Sequence, residues 1–285
     1  MDNFDAPTEI NRHEETLLDV AKCLFQSKQA DHGSALLSAL LGIHGLRVGE
    51  RSLASAHLYG RAADVVEGRP ALRRYLRNKA IDIYQTSGET GQQYMLSLLA
   101  KARDAEETDD FKVVIKYTDG IINSNASPEI ICKAYRIQAE AMVWLDRLAG
   151  AQDCIDSFKL FAAKRGNNSD LVASCALQAE LDYQEGKYLK ALMSYREVAS
   201  TLGEQAPALL YLKINMAILW AKMGANSKAI NLREEVWRSV LLEGYDLLSG
   251  FDAEPFPGVD HLIEVLHQCH FDGDIPEPIA YYHFS

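Results

Sequence analysis

The sequence predicts an all-α protein built from stacked pairs of antiparallel helices. Residues 172–199 and 210–237 align on each other at an offset of 38 residues, with small side chains at matching positions. Apolar residues recur at helical spacing along nearly the whole chain, and no alternating strand pattern bounded by hairpin turns interrupts them. A single helix pair cannot bury its apolar face alone, so repetition of the pair predicts a continuous core.

The expected helices follow one another in six pairs. Gly42 to Gly49 is expected to form a loop, and Gly68-Arg69-Pro70 ends one helix and begins the next. Pro207 suits a first helical turn because its missing N–H is not needed there. The expected ranges are 14–27 and 34–43, 53–67 and 71–86, 92–106 and 110–123, 128–145 and 148–164, 169–184 and 188–201, and 207–223 and 227–242.

The packing of the clearest helix pair, at 169–184 and 188–201, can be explained from its own residues. Small side chains at Ala179 and Ala191 let the two helices approach closely, and Gly186 lies where the first helix must end in a left-handed cap. Tyr188 and Tyr195 fill the space between the helices. The next copy places Ala217, Gly224 and Ala229 at the corresponding positions.

This pattern resembles the tetratricopeptide (TPR) repeat. The residues that carry the resemblance are Ala179, Tyr183, Gly186, Tyr188, Ala191, Leu192 and Tyr195 in one unit and Ala217, Trp220, Gly224 and Ala229 in the next. A third copy has Ala139, Met142, Leu148, Ala151 and Phe158, with Asp146 in place of the turn glycine, and a fourth keeps Ala102, Phe111, Val114 and Ile121. The resemblance implies a right-handed TPR-like α-solenoid that acts as a protein-binding scaffold, without naming the partner.

We expect one repeat domain over residues 1–242, with pairs at about 14–43, 53–86, 92–123, 128–164, 169–201 and 207–242. Residues 243–285 differ because they contain no lysine or arginine and many carboxylates. They predict an acidic linker, a capping helix and an aromatic tail. Alternatively, Tyr281, Tyr282 and Phe284 form an exposed motif for a partner or for another copy of the chain.

Composition limits the class of partner. The formal net charge of −11 over 285 residues opposes binding to nucleic acid, and no apolar run approaches the roughly 20 residues of a membrane span. The polar, acidic amino end predicts no secretory signal, and hence an intracellular protein, cytoplasmic or nuclear, whose five cysteines are reduced. No phosphate-binding loop or nucleophile motif is recognisable, so we expect neither catalysis nor a cofactor.

The resemblance also implies that the first helix of each pair lines a concave groove, which suits an extended peptide or a partner helix. The expected partner-binding residues are Arg136, Glu140, Trp144, Glu180, Tyr183, Gln184, Tyr211, Asn215 and Lys222. The alternative is that Trp144, Tyr183 and Tyr211 only pack between repeats. Glu140 and Glu180 stand where TPR co-chaperones carry the polar and basic residues that grip a terminal carboxylate, so no such clamp is expected.

Three further features have alternative interpretations. The row Arg69, Arg73 and Arg77 is either a solvated helix face or a basic patch that receives an acidic segment. The apolar helices at the amino end predict a docking surface, with a homodimer as one outcome. Its expected residues are Leu17, Leu18, Val20, Leu24, Leu36, Leu37, Leu40 and Leu41. His267, Cys269 and His270 offer metal ligands, but a zinc site needs a fourth, so we expect no metal site.

Three classes of function follow from these observations. The leading hypothesis is a non-enzymatic scaffold or adaptor that forms part of a larger complex. The second is a regulatory sensor that binds a peptide or a small ligand in the groove. The third is a metal-binding protein or enzyme that uses the carboxyl-terminal HQCH segment.

Overall fold

The computed structural model describes residues 12–166, 168–201 and 207–242, and no β-strand occurs in these ranges. The predicted all-α class is confirmed, and most helix boundaries fall within a residue or two of those expected. The helices are α1 (Arg12–Gln26), α2 (Ala30–Val48), α3 (Leu53–Asp64), α4 (Pro70–Thr86), α5 (Gln92–Glu106), α6 (Phe111–Ile122), α7 (Pro128–Trp144), α8 (Leu148–Arg165), α9 (Asn168–Gln184), α10 (Tyr188–Thr201), α11 (Pro207–Lys222) and α12 (Asn226–Leu242).

The chain divides into two compact units, Met1–Ile137 and Gln138–Ser285, with the boundary inside α7. In the first unit, α1 packs on α2, α3 on α4 and α5 on α6, and further contacts join α2 to α3 and α4 to α5. In the second unit, each helix from α8 to α12 packs on the next. Helices that are adjacent in sequence are therefore adjacent in space within each unit, as tandem hairpins require.

One left-handed residue lies between the two helices of each described pair. Gly186 and Gly224 have φ of 73° and 77°, and Asp146 adopts the same conformation at 56°. The other such residues are Lys28, Gly68 and Asp109. In five of these turns the following N–H donates to the carbonyl five residues earlier, which defines a Schellman cap; the bonds are Gln29 to Leu24, Asp110 to Ala105, Arg147 to Met142, Lys187 to Asp182 and Ala225 to Trp220, at 2.7–2.9 Å.

Buried, mostly small residues recur at a constant sequence separation from the left-handed residue. Seven positions before it stand Ala21, Ala102, Ala139, Ala179 and Ala217, all with no exposed surface. Five positions after it stand Gly33, Val114, Ala151, Ala191 and Ala229, all buried. Ala179 and Ala217 therefore occupy equivalent surroundings, and the close helix approach expected from two copies extends to five of the six pairs.

The expected loop from Gly42 to Gly49 is wrong, because α2 continues through it to Val48. Glycine weakens a helix by roughly 1 kcal/mol per residue, but contacts of the last two turns outweigh this preference. His44 is buried, with Nδ1 2.7 Å from Glu14 Oε1 of α1, and Arg47 donates to the same oxygen at 2.7 Å. The helix ends only at Gly49, where φ is 90°.

Candidate partner-binding cleft

A cleft of about 480 Å³ opens on the first unit between α3 and α5. Two rows at helical spacing line it, one on α3 and one on α5, while α4 supplies its floor and α7 one edge. The lining residues are His57, Gly60, Arg61 and Asp64 on α3, Gln93, Leu96, Ser97, Leu99, Ala100 and Arg103 on α5, Arg77 and Tyr84 on α4, and Lys133 on α7. The volume falls in the range typical of ligand-binding clefts.

The charged residues that line the cleft are mainly cations. Four permanently charged cations face it against a single carboxylate, that of Asp64. Arg61 pairs with both carboxylate oxygens of Glu15 at 3.1 and 3.0 Å, and Lys133 with Glu129 at 2.7 Å. These two ion pairs are solvent-exposed and therefore contribute little to stability. An external carboxylate could therefore replace Glu15 or Glu129 in these ion pairs at a small cost in free energy.

The floor of the cleft is more deeply buried than its rim. Arg77 donates to the Ala100 carbonyl at 2.7 Å and lies 2.5 Å from the Asp104 carboxylate, with only 12% of its side chain exposed. Burial, with the Glu89 charge adding to it, raises the pKa of Tyr84 to about 12. The Tyr84 phenol is therefore neutral at physiological pH, and its hydroxyl remains a hydrogen-bond donor.

The α5 side of the cleft lies on the face that the repeat register assigns to the groove. Arg103 stands six residues before the left-handed Asp109, which is the position of Glu140 and Glu180 in later repeats. Our sequence reasoning missed this site because it applied the register only from residue 128 onward. The signal that would have found it is the row His57, Arg61 and Asp64 on one face of a helix.

The arginine row of α4 is neither a solvated face nor an open basic patch. Arg69 forms an ion pair with Asp31 of α2, and Arg73 pairs with Asp104 and Glu107 of α5. Arg77 contacts Asp104 and Asp64. The row therefore links α4 to the helices around it, and of its three residues only Arg77 lines the cleft.

The predicted groove residues of the second unit divide by burial. Trp144 and Gln184 are exposed and Glu180 and Lys222 half-buried, whereas Glu140 and Tyr183 are buried. Arg136, which belongs to the first unit, is half-buried. A partner-binding role for the accessible members of this set remains a prediction.

Tyr211 and Asn215 have no exposed surface. Asn215 donates through Nδ2 to the hydroxyl of Tyr195 at 3.4 Å, which ties α11 to α10. Burial raises the pKa of Tyr195 well above its ordinary value, so this hydroxyl stays protonated. Since a partner reaches only exposed atoms, Tyr211 and Asn215 support the helix packing of this unit.

The apolar residues of the amino-terminal helices that we expected to dock a partner are mostly covered. Leu18, Leu37 and Leu40 belong to the core of the first unit, and only Leu17 and Val20 of the expected docking residues are exposed. A homodimer through these helices remains a prediction. The tail residues Tyr281, Tyr282 and Phe284 and the HQCH segment lie outside the described residues.

Two properties of the described residues bear on the other functional classes. No group of three or more His, Cys, Asp or Glu side chains is arranged to hold a metal ion there. None of the helices in that part of the chain combines the length and the apolar character that a bilayer-crossing segment needs.

The hairpin packing, the left-handed turns and the buried alanines together define a TPR-like all-α fold. A tetratricopeptide repeat protein from Parabacteroides merdae, known from a crystal structure, superposes with a TM-score of 0.58. The match covers 90% of this chain and 85% of that protein at 17% identity, so the likeness is one of fold. No family model and no curated protein matches the sequence.

Proposed function

We propose that the protein is a non-enzymatic scaffold or adaptor that holds another polypeptide as part of a larger complex. TPR-like folds are commonly protein-interaction scaffolds, and repeats of this kind present extended surfaces for partners. The observation that carries the proposal is the cleft between α3 and α5. Its α5 side lies on the face that the repeat register predicts for a groove, and its exposed rim carries side chains suited to a polypeptide ligand.

The charges of the cleft indicate which type of polypeptide segment it would bind. Arg61, Arg103 and Lys133 line the cleft within one unit, and Leu96 adds an exposed apolar surface. An extended segment with alternating acidic and apolar side chains would satisfy both features. Charge complementarity of this sort mainly raises the association rate and the specificity.

Affinity purification followed by mass spectrometry tests the proposal. The full chain would be compared with the variants Arg103→Ala and Lys133→Ala, and with Lys112→Ala, which removes an exposed cation of α6 away from the cleft. We expect the two cleft variants to lose the same co-purifying proteins and the control to retain them. If all three variants retain the partners of the unchanged chain, the cleft is not the binding site.

A regulatory sensor is the second candidate, because the volume of the cleft also suits a small ligand. The two functions predict different results in size-exclusion chromatography and in thermal unfolding. A scaffold should elute in a stable large complex during size-exclusion chromatography of native extract. A sensor should instead elute near its own mass, and its melting temperature should rise with a small ligand or peptide.

A further inference from the structure

The second unit carries two shallow clefts that follow each other along α11. The first, about 390 Å³, is lined by α10, α11 and α12, and the second, about 300 Å³, by the start of α10 and the end of α11. Met216 and Trp220 of α11 and Met223, which directly follows α11, are spaced i, i+4 and i+7, and the Met223 N–H still donates to the Leu219 carbonyl at 3.0 Å, so the three share one helix face. We call this surface the α11 channel; its other lining residues are Gly186, Lys187, Tyr188, Leu189, Lys190, Arg196, Lys228, Asn231, Leu232 and Glu235.

The wall of the channel on α10 exposes apolar side chains to solvent. Leu189, which lines the second cleft, is 62% exposed. Met193, one helical turn further along α10 and beside the two clefts, is also 62% exposed, and Arg196 of the first cleft continues the same row. Methionine adapts its shape to different partners and recurs at helix-binding surfaces. The row from Met216 to Met223 spans about 10 Å, which is two turns of a partner helix.

The centre of the channel is a tryptophan held between two cations. Lys228 Nζ lies 4.2 Å and Arg196 Cζ 5.4 Å from the centre of the Trp220 ring. These contacts fix the indole while leaving it partly exposed. Tryptophan in a partly covered cleft is among the side chains that contribute most to protein binding.

The charges around the channel are unbalanced. Lys187, Lys190, Arg196 and Lys228 line the two clefts against one carboxylate, that of Glu235. Glu235 is already paired with Lys213 at 2.7 Å, and Lys187 with Glu185 at 2.6 Å. An incoming carboxylate therefore finds Arg196 and Lys228 beside an apolar floor, with Lys190, whose charge also acts on Asp182, at one end.

We infer that the α11 channel docks an amphipathic helix of a partner protein, with its apolar face on Trp220, Met223 and Leu189 and with carboxylates along its flanks. The apolar floor between two parallel helix ridges specifies a helix, and the excess of cations specifies acidic flanks. This surface is separate from the cleft between α3 and α5, so the chain would hold two different segments.

Fluorescence anisotropy with designed peptides tests the inference on the full chain. The probe is a labelled helix of about 18 residues with leucines at i, i+3, i+4 and i+7 and glutamates on both flanks. Its counterparts carry lysine in place of glutamate, or the same composition in scrambled order. We expect the glutamate helix to bind at least about tenfold more tightly than either counterpart.

Substitutions assign the binding to the channel. Met193→Glu and Lys228→Glu, both at exposed positions, should weaken the glutamate helix about tenfold or more, whereas Leu160→Glu on α8, also exposed, should not. Equal binding of the lysine helix, or unchanged binding by both channel variants, would overturn the inference. A concentration-dependent dimer that Met193→Glu abolishes would assign the channel to a second copy and also overturn it. Arg103→Ala and Lys133→Ala should leave this binding unchanged, so its failure is distinguishable from failure of the proposed cleft.

Discussion

Asp104 Oδ1 lies 2.5 Å from Arg77 Nη1, and the two side chains are 2% and 12% exposed. The same oxygen lies 3.1 Å from Arg73 Nε, so one buried carboxylate of α5 faces two guanidinium groups of α4. Buried carboxylates are strongly unfavourable unless they are paired. This arrangement therefore couples the second helix pair to the third.

Replacement of Asp104 by asparagine leaves both guanidinium groups without their shared negative charge. We expect Asp104→Asn to lower the free energy of unfolding by roughly 2–3 kcal/mol, below the range for a fully buried pair because Arg73 and Arg77 keep some contact with water. Urea unfolding followed by circular dichroism measures the change. The exposed Asp153 provides the control, and an equally small effect of Asp104→Asn and Asp153→Asn would contradict the prediction.

The left-handed turns predict that substitutions at Gly186 and at Asp146 change the free energy of unfolding in opposite directions. A Cβ added at Gly186 would meet nothing within 4 Å, so Gly186→Ala acts through its dihedral angle alone. It should destabilise the chain by about 1 kcal/mol, whereas Asp146→Gly, which relieves a left-handed non-glycine residue, should stabilise it by about 0.5 kcal/mol. Thermal unfolding of both variants checks the signs, and a shift of both melting temperatures in the same direction would refute the explanation.

Close packing of the helices predicts a strong effect of side-chain size. Ala179 has no exposed surface, so Ala179→Leu forces α9 away from its neighbours and should destabilise the chain by about 1–3 kcal/mol. Ala35, which is exposed on α2, accepts the same change within about 0.5 kcal/mol. Chemical denaturation of the two variants gives the comparison, and equal effects would show that Ala179 is not at a tight helix crossing.

Burial of Tyr211 predicts a loss of stability in alkali. Burial raises the pKa of this phenol from 10.0 to about 12, so the folded chain keeps it protonated where the unfolded chain ionises it. Its contribution is therefore fully present below about pH 10 and is lost as the pH rises from 10 to 12. Urea unfolding at pH 9 and pH 11 should show a smaller loss for Tyr211→Phe than for the unchanged chain, and identical losses would exclude this assignment.

Much of the fold could be predicted because its signals are local. Gly186, Gly224 and the small residues around them determine where a hairpin turns and how closely its helices approach. The extension of α2 could not be predicted, since the contact between His44 and Glu14 that supports it joins residues 30 positions apart in different helices. Hydrophobic periodicity gives only a local preference for where α2 ends, and the tertiary contact between His44 and Glu14 outweighs that preference.

The candidate site was less predictable than the fold. The register identifies the face on which a side chain lies, but not how deeply the neighbouring helices cover it, so Tyr211 and Asn215 were assigned to the groove although both are buried. Likewise, the spacing of Arg73 and Arg77 shows a shared helix face but not the carboxylate of Asp104 opposite it. Burial and ion pairing depend on packing between elements, which a single sequence does not specify.

The six turns share a torsion angle more than they share an amino acid, since glycine, aspartate and lysine all occupy the left-handed position. The residue at the turn of a repeat can therefore be substituted while its helical hairpin is retained. In chains of this kind, duplicated units are recognised more reliably by comparing backbone dihedrals at a fixed interval than by aligning residues. Lys28 and Asp109 mark two such hairpins whose turns contain no glycine.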